Sequence, residues 1–242
     1  MDKKIYTITK NQLVARDTYE LVLEGDGCIK GEFVHLDIPG YYLRRPFSIC
    51  DSSESSITIL YKTVGEGTRK LATLGEGTEV SVLTGLGKGY DPAACKAQAL
   101  LVAGGLGAAP LYYLARELKA QGKEVTAILG FNKEDEIVLQ KEFEALVDRV
   151  AIATLDGSVG TKGFVTDAIG ALKPEYDFFY TCGPMVMMKA VCSALEGPGE
   201  ASLEERMGCG AGFCYGCTIQ TANGPRRVCA DGPVFDKEEV LW

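Results

Sequence analysis

Four cysteines near the C-terminal end of the chain stand at a spacing that could bind metal. Residues 207–217 read MGCGAGFCYGC, so four residues separate Cys209 from Cys214, two separate Cys214 from Cys217, and eleven more lead to Cys229. Four thiolates satisfy a [2Fe–2S] cluster, two to each iron, and C-x4-C-x2-C with a distant fourth cysteine is the plant-type ferredoxin spacing. The interleaved Gly208, Gly210, Gly212 and Gly216 suit the same chemistry. Where Cβ is missing, a loop can wrap closely and a backbone N–H can approach sulfur. The stretch TIQTANGPRRV before Cys229 fits a hairpin that turns at Asn-Gly-Pro and returns the fourth cysteine to the others. Structural zinc is an alternative, although zinc sites usually pair two Cys-x2-Cys knuckles and only one is present here. Unligated cysteines are the third reading.

A second constellation is LLVAGGLGAAPL, which places Gly105, Gly107 and Pro110 between an apolar run and a helical pattern. Glycines permit a tight turn and close backbone approach, and a helix N-terminus attracts negative charge, as a dinucleotide pyrophosphate requires. Pro110 stands where a third glycine is usual, and proline is tolerated in a first helical turn. The next strand ends in GFNKEDE, acidic at Glu134, Asp135 and Glu136. A 2′-phosphate would prefer arginine there, so NAD is favoured over NADP. Further on, Cys182, Gly183 and Pro184 close another strand-like run, the end of the strand where open α/β sheets bind ligands. Met185, Met187 and Met188 read as core filler.

A third candidate is YYLRRPFSIC, residues 41–50. Arg44 and Arg45 open a strand-like run and would point to opposite sides. One could clamp a phosphate and Ser48 could hydrogen-bond a flavin ring nitrogen; a solvated arginine pair is the alternative. Downstream, Gly67 and Thr68 precede a short helix and offer backbone N–H donors.

These groups must be positioned by two kinds of scaffold. Before residue 90, IYTITK (5–10), TYELVLEG (18–25), GEFVHLDI (31–38) and SITILYKTV (56–64) are short alternating runs punctuated by turn residues, and GTRKLATL (67–74) a short helix. That pattern suggests a small barrel or sandwich. From residue 98 strands and helices alternate: AQALLVAGG, then a helix in AAPLYYLARELKAQG; EVTAILGFN, then EIVLQKEFEALV; RVAIATLD, then FVTDAIGALK; DFFYTCG, then MVMMKAVCSALEG. Such alternation means a parallel sheet covered on both faces. EGPGEAS (196–202) reads as a linker. His35, the single histidine, alternates with apolar neighbours and reads as structural.

The 242 residues, 46% hydrophobic and 24% charged, suffice for one large or two to three small domains. A net charge of −8 argues against nucleic acid, which wants a basic face. The start MDKKIYTITK has no apolar signal-peptide core. The apolar stretch 99–115 is broken by Gly104, Gly105, Gly107 and Pro110, so a strand, turn and helix fit it better than a membrane span. A cytoplasmic protein is expected, in which nine cysteines would not form disulfides.

Arg45-Pro46-Phe47-Ser48, Gly67-Thr68, GGLGAAP and TCGP, in that order, resemble the ferredoxin–NADP reductase superfamily. CGAGFCYGCTIQT with VCADGPVF after them resembles the electron-transfer subunits of type B dihydroorotate dehydrogenases, over about residues 5–235. The resemblance implies a multidomain α and β fold: an FAD-binding β-barrel (1–95), a nicotinamide-binding α/β parallel-sheet domain (96–200) and a small [2Fe–2S] domain (201–242). It implies FAD on Arg45, Pro46, Phe47, Ser48, Leu60, Tyr61, Lys62, Gly67 and Thr68; NAD at Gly105, Gly107, Pro110, Cys182, Gly183 and Pro184; and the cluster on Cys209, Cys214, Cys217 and Cys229. Phe47 stands where relatives carry tyrosine, which removes a phenol, and Lys62 where they often carry arginine, which loses the forked geometry. The implied role is to pass electrons from an FMN-containing dihydroorotate dehydrogenase subunit through cluster and FAD to NAD⁺, in a heterotetramer of two of each chain, with no catalytic acid or base in this chain. Rival readings are a flavin iron–sulfur subunit of another oxidoreductase (ferredoxin–NADP oxidoreductase, sulfite reductase or hydrogenase diaphorase), a non-catalytic redox sensor, and a zinc-stabilised binding module.

Overall fold

The computed structural model describes residues 1–25 and 33–242. The chain divides into two compact units, Met1–Gly89 with Glu204–Pro233, and Tyr90–Leu203 with Val234–Trp242.

The first unit is built on an antiparallel sheet of β1 (Asp2–Ala15), β2 (Thr18–Glu24), β3 (Phe33–Leu36), β4 (Arg45–Ser48), β5 (Asp51–Ser52), β6 (Ser56–Lys62) and, after helix α1 (Glu66–Leu71), β7 (Glu79–Leu86). The order is β4-β3-β7-β1-β2-β6-β5, and β4 also touches β6, so the sheet curls into a barrel. Alternation explains its core: Leu21 and Leu23, Val34 and Leu36, Ile57, Ile59 and Tyr61, and Val80 and Val82 are buried on one face. Each such side chain removed from water contributes about 1.5–3 kcal/mol. The run 31–38 yields β3 from Phe33 on; Gly31 and Glu32 lie outside the described residues. Strand β7 was not anticipated, although Val80, Val82, Thr84 and Leu86 alternate as buried residues.

The second unit holds β8 (Gln98–Gly104), α2 (Ala108–Ala120), β9 (Glu124–Phe131), α3 (Gln140–Leu146), β10 (Arg149–Thr154), β11 (Thr161–Lys162), α4 (Val165–Leu172), β12 (Phe178–Cys182), α5 (Met185–Ala194) and β13 (Gly199–Ser202). The hairpin β14 (Thr218–Thr221) and β15 (Gly224–Arg227) belongs to the first unit, and β16 (Val234–Asp236) to the second. The order β11-β10-β9-β8-β12-β13-β16 is parallel except for the antiparallel β13–β16 pair. Strand β8 is buried continuously from Ala99 to Gly104, as a strand covered on both faces must be. Helix α2 buries Leu111, Leu114, Ala115 and Leu118, the i, i+3, i+4, i+7 stripe. Gly122, at φ +74°, follows its end.

Three sequence expectations are corrected. Residues 196–202 are no plain linker, because Gly199–Ser202 pairs with both β12 and β16; this depends on partners distant in sequence. The helix expected over 136–147 is confined to Gln140–Leu146, since β-branched Ile137 and Val138 favour extended backbone and Ile137 adopts it. Met188 is buried and Met187 packs on the core, but Met185 is exposed. The apolar stretch 99–115 is a strand, a 3-10 turn at Gly105–Gly107 and a helix. No helix among the described residues is long and apolar enough to cross a membrane.

Candidate functional site

In the first unit the four cysteines fall into two pairs. All four are free thiols, with Cys209 in hydrogen-bonding reach of Cys214 and Cys229 of Cys217. Two pairs of sulfurs match two thiolates per iron. Backbone N–H groups converge on these sulfurs. Ala211, Phe213 and Cys214 donate to Cys209 Sγ at 3.4, 3.2 and 3.4 Å, Gly212 to Cys229 Sγ at 3.2 Å and Cys229 to Cys217 Sγ at 3.4 Å. Burial raises the Cys209 thiol, but these backbone donors outweigh it and bring the group down to about 6. Cys229 goes the other way, to about 12, through burial and then its bond to Cys217. The loop is therefore laid out for negatively charged sulfur at the Cys209 end, and its donor set fits an iron–sulfur cluster.

The hairpin expected between Cys217 and Cys229 is β14–β15, but it turns at Ala222 and Asn223, with Thr221 opposite Gly224, so that Gly224 and Pro225 lie in β15 and not in the turn. Its last strand supplies a brace that sequence reasoning missed. Arg227 makes a forked ion pair with Asp231 (Nε to Oδ2 3.0 Å, Nη2 to Oδ1 3.1 Å), donates to the Gly212 carbonyl at 2.9 Å and lies over the Tyr215 ring at 5.2 Å. The Arg227 side chain holds the Asp231 carboxyl at about 2. Gly212 needs its bareness: at φ +83° a Cβ would sit 2.9 Å from that of Ala230.

The arginine pair divides as alternation requires. Arg44 is structural, donating to the Ser81 carbonyl at 2.7 Å, Ser81 Oγ at 2.9 Å and Asp37 Oδ2 at 3.3 Å. Arg45 lies over the Tyr41 ring at 5.6 Å, and its Nε would be 3.3 Å from a Cβ on Gly67. Arg45, on β4, and the Gly67 backbone are thus brought together, the pairing a phosphate clamp needs. The Thr68 hydroxyl is occupied, accepting from Gly65 N–H at 3.0 Å and donating to the Gly65 carbonyl at 3.1 Å. On β6 the Tyr61 side chain turns inward, stacking on Tyr19, meeting Phe47 edge-on and donating to Asn11 Oδ1 at 2.8 Å; only its backbone remains to serve a ligand. Leu60 is buried and Lys62 partly exposed. Pro46 and Ser48 are half-buried on β4, opposite His35 and Phe33 of β3.

In the second unit the two candidate nicotinamide motifs are neighbours. Strands β8 and β12 pair side by side, β9 and β10 extending to one side and β13 to the other. This reversal is the topological switch point at which open α/β sheets bind ligands beyond their C-terminal strand ends. The Gly105–Gly107 turn caps β8, and Cys182, Gly183 and Pro184 cap β12. A Cβ on Gly107 would lie 2.2 Å from the Cys182 carbonyl oxygen, and one on Gly183 2.9 Å from Gly104 N. Gly105 instead has open space but φ +54°. Pro110 is buried in the first turn of α2, and Cys182 is buried at the end of β12. Glu134 and Asp135 are exposed in a turn just past the end of β9.

Residues 101–193 match the family described as oxidoreductase NAD-binding domain, and residues 204–241 the iron-sulfur cluster binding domain of dihydroorotate dehydrogenase B. The electron transfer subunit of dihydroorotate dehydrogenase B (NAD⁺) from Shouchella clausii is 43% identical, covering 97% of this chain and 96% of its own. That of Fusobacterium nucleatum is 41% identical with the same coverage. A solved structure of the NADH-dependent reduced ferredoxin-NADP oxidoreductase aligns at 30% identity with a TM-score of 0.88, over 98% of this chain and 90% of that one. Phthalate dioxygenase reductase, at 22% identity and a TM-score of 0.66 over 79% of this chain and 64% of its own, shares the fold. A barrel carrying an arginine-led strand, a switch-point glycine turn and a four-cysteine loop in one chain, at this identity over its full length, places the protein in the family of dihydroorotate dehydrogenase B electron transfer subunits.

Proposed function

We propose that this chain passes electrons from an FMN-containing dihydroorotate dehydrogenase catalytic subunit to NAD⁺, by way of a [2Fe–2S] cluster and FAD, in pyrimidine biosynthesis. The observation that carries the reading is the pairing of four cysteine sulfurs under converging backbone N–H groups, in a chain whose relatives are named as this subunit. When bound, flavin supplies conversion between hydride transfer and single-electron transfer.

The chain's own residues hold and orient. Cys209, Cys214, Cys217 and Cys229 would hold the cluster. Arg45 with the Gly67 backbone would take the flavin phosphate and Ser48 a ring nitrogen, and Pro46, Phe47, Leu60, Tyr61, Lys62 and Thr68 would complete that site. Gly105, Gly107 and Pro110 take the NAD pyrophosphate, and Cys182, Gly183 and Pro184 flank the nicotinamide. Cys182 positions and is not a nucleophile; no residue here acts as general acid or base. By function the chain divides at 1–95, 96–200 and 201–242. It works in the cytoplasm as a heterotetramer with two copies of each subunit, and binds neither nucleic acid nor membrane.

The test is Cys214→Ser in the complex. Loss of the cluster spectrum and of dihydroorotate-driven NAD⁺ reduction, with NADH oxidation by a dye preserved, is expected. An unchanged cluster spectrum contradicts the ligand set. A second reading is favoured by the 30% identity and 0.88 TM-score to the NADH-dependent ferredoxin-NADP oxidoreductase: the same modules serving a different partner. The 41–43% identity to dihydroorotate dehydrogenase B subunits weighs for the first.

A further inference from the structure

His35 has an imidazole that the fold leaves unexplained. It is fully buried, yet among the described residues neither ring nitrogen has a hydrogen-bond partner. Buried polar atoms without partners cost stability and need a reason. The ring projects from the face of β3 opposite Val34 and Leu36, which fill the barrel core, with Phe33 beside it at 5.7 Å between ring centres. Its polar edge is turned toward the cysteine loop. A Cβ on Gly210 would stand 2.4 Å from Cε1, 2.5 Å from Nε2 and 2.8 Å from Nδ1, so the Nδ1–Cε1–Nε2 edge is what the loop meets. Gly210 follows Cys209 directly and has φ +67°. Burial, with Arg44 nearby, keeps the ring neutral, and a neutral imidazole carries one N–H donor.

We propose that His35 is a positioning residue for the iron–sulfur centre, donating its N–H to a sulfur of the centre held by the Cys209 loop and thereby raising its reduction potential. The inference rests on the reading of the four cysteines given above. An acceptor sulfur arriving with the centre would satisfy the donor that the described residues leave without a partner. Hydrogen bonds to cluster sulfur raise the potential because they stabilise the added electron. A merely structural histidine would need no polar edge at this place.

The chain has one histidine, which makes the test selective. This chain is labelled with ¹⁵N-histidine, carries no histidine tag and is combined with an unlabelled partner subunit, and the reduced centre of the complex is studied by pulsed EPR. A nitrogen coupling that changes with the histidine isotope is expected; its absence overturns the proposal. Potentiometric titration gives a second readout. His35→Phe, which keeps an aromatic ring but has no donor, should retain the centre but shift its midpoint to more negative potential, and His35→Gln, which keeps an N–H, should return it part-way. An unchanged midpoint in His35→Phe with full iron content also overturns it. The isotope experiment needs no variant, so a misfolded one does not decide the matter. A wild-type complex whose chain carries no iron–sulfur spectrum defeats the reading of the cysteine loop itself, and the proposal falls with it.

Discussion

Gly107→Ala tests the switch point with a single methyl group. Gly107 has φ −59°, a value any residue adopts, so backbone strain plays no part. Space does: the added Cβ would lie 2.2 Å from the Cys182 carbonyl oxygen, 2.4 Å from its carbon and 2.8 Å from Gly183 N. Carbon and carbonyl oxygen normally approach no closer than about 3.3 Å, so the two motifs must part by about 1 Å. Neither side yields easily. Strand β12 is buried throughout and paired on both edges, and Ala108, Ala109 and Leu111 at the start of α2 are buried. Overpacking of this kind costs about 1–3 kcal/mol of stability. The larger effect is on binding, since a displacement of about 1 Å at a positioning site can cost on the order of 100-fold. We expect kcat/KM for NADH with a dye acceptor to fall by about that factor, while FAD and iron contents stay at wild-type levels. Gly170→Ala is the control. It lies in α4 with nothing within 4 Å of its Cβ position, and should stabilise the chain by about 0.4–1 kcal/mol without changing NADH kinetics. Wild-type kcat/KM in a folded Gly107→Ala chain would refute the reasoning.

Arg45→Ala removes the guanidinium over Gly67 and should weaken FAD retention by about 10–100-fold; full flavin occupancy after dialysis would count against the assignment. NADPH should be a poorer donor than NADH by on the order of 10-fold or more, because Glu134 and Asp135 lie exposed past β9 where a 2′-phosphate would meet like charge; equal rates would dismiss the idea. Burial, with Asp91 and Asp236 adding repulsion, lifts the Glu200 carboxyl to about 7. The folded chain therefore keeps a proton that the unfolded chain releases near 4.5, and stability falls as pH rises through that window. Glu200→Gln keeps an acceptor for Asp91 N–H and should gain about 1–2 kcal/mol above the window and nothing below it; melting temperatures across pH will show whether the gain has that shape.

What the sequence disclosed was local. The Cys-x4-Cys-x2-Cys spacing, the hairpin before Cys229, the divergence of Arg44 from Arg45 and the strand–turn–helix at Gly105–Gly107 each depend on residues close together in the chain. What it hid was long-range. Nothing near residue 199 announces that Gly199–Ser202 will pair with β16. Nothing near Tyr61 announces that its ring will turn toward Phe47 and Tyr19. Arg227 braces Gly212, fifteen residues away, and His35 meets Gly210 across most of the chain. A lone histidine between apolar neighbours reads as structural until the fold shows which edge of the ring has no partner among the described residues. The alternation of β7 was there to be read: Val80, Val82, Thr84 and Leu86 keep strict period two.

The most direct test of the central claim is reconstitution. The purified chain, loaded anaerobically with FAD and iron–sulfur, is combined with an FMN-containing dihydroorotate dehydrogenase subunit, and NADH formation is followed on adding dihydroorotate and NAD⁺. The account predicts NADH formation that needs both chains and disappears with Cys214→Ser. A stable, fully loaded complex that oxidises dihydroorotate with a dye but forms no NADH would contradict it.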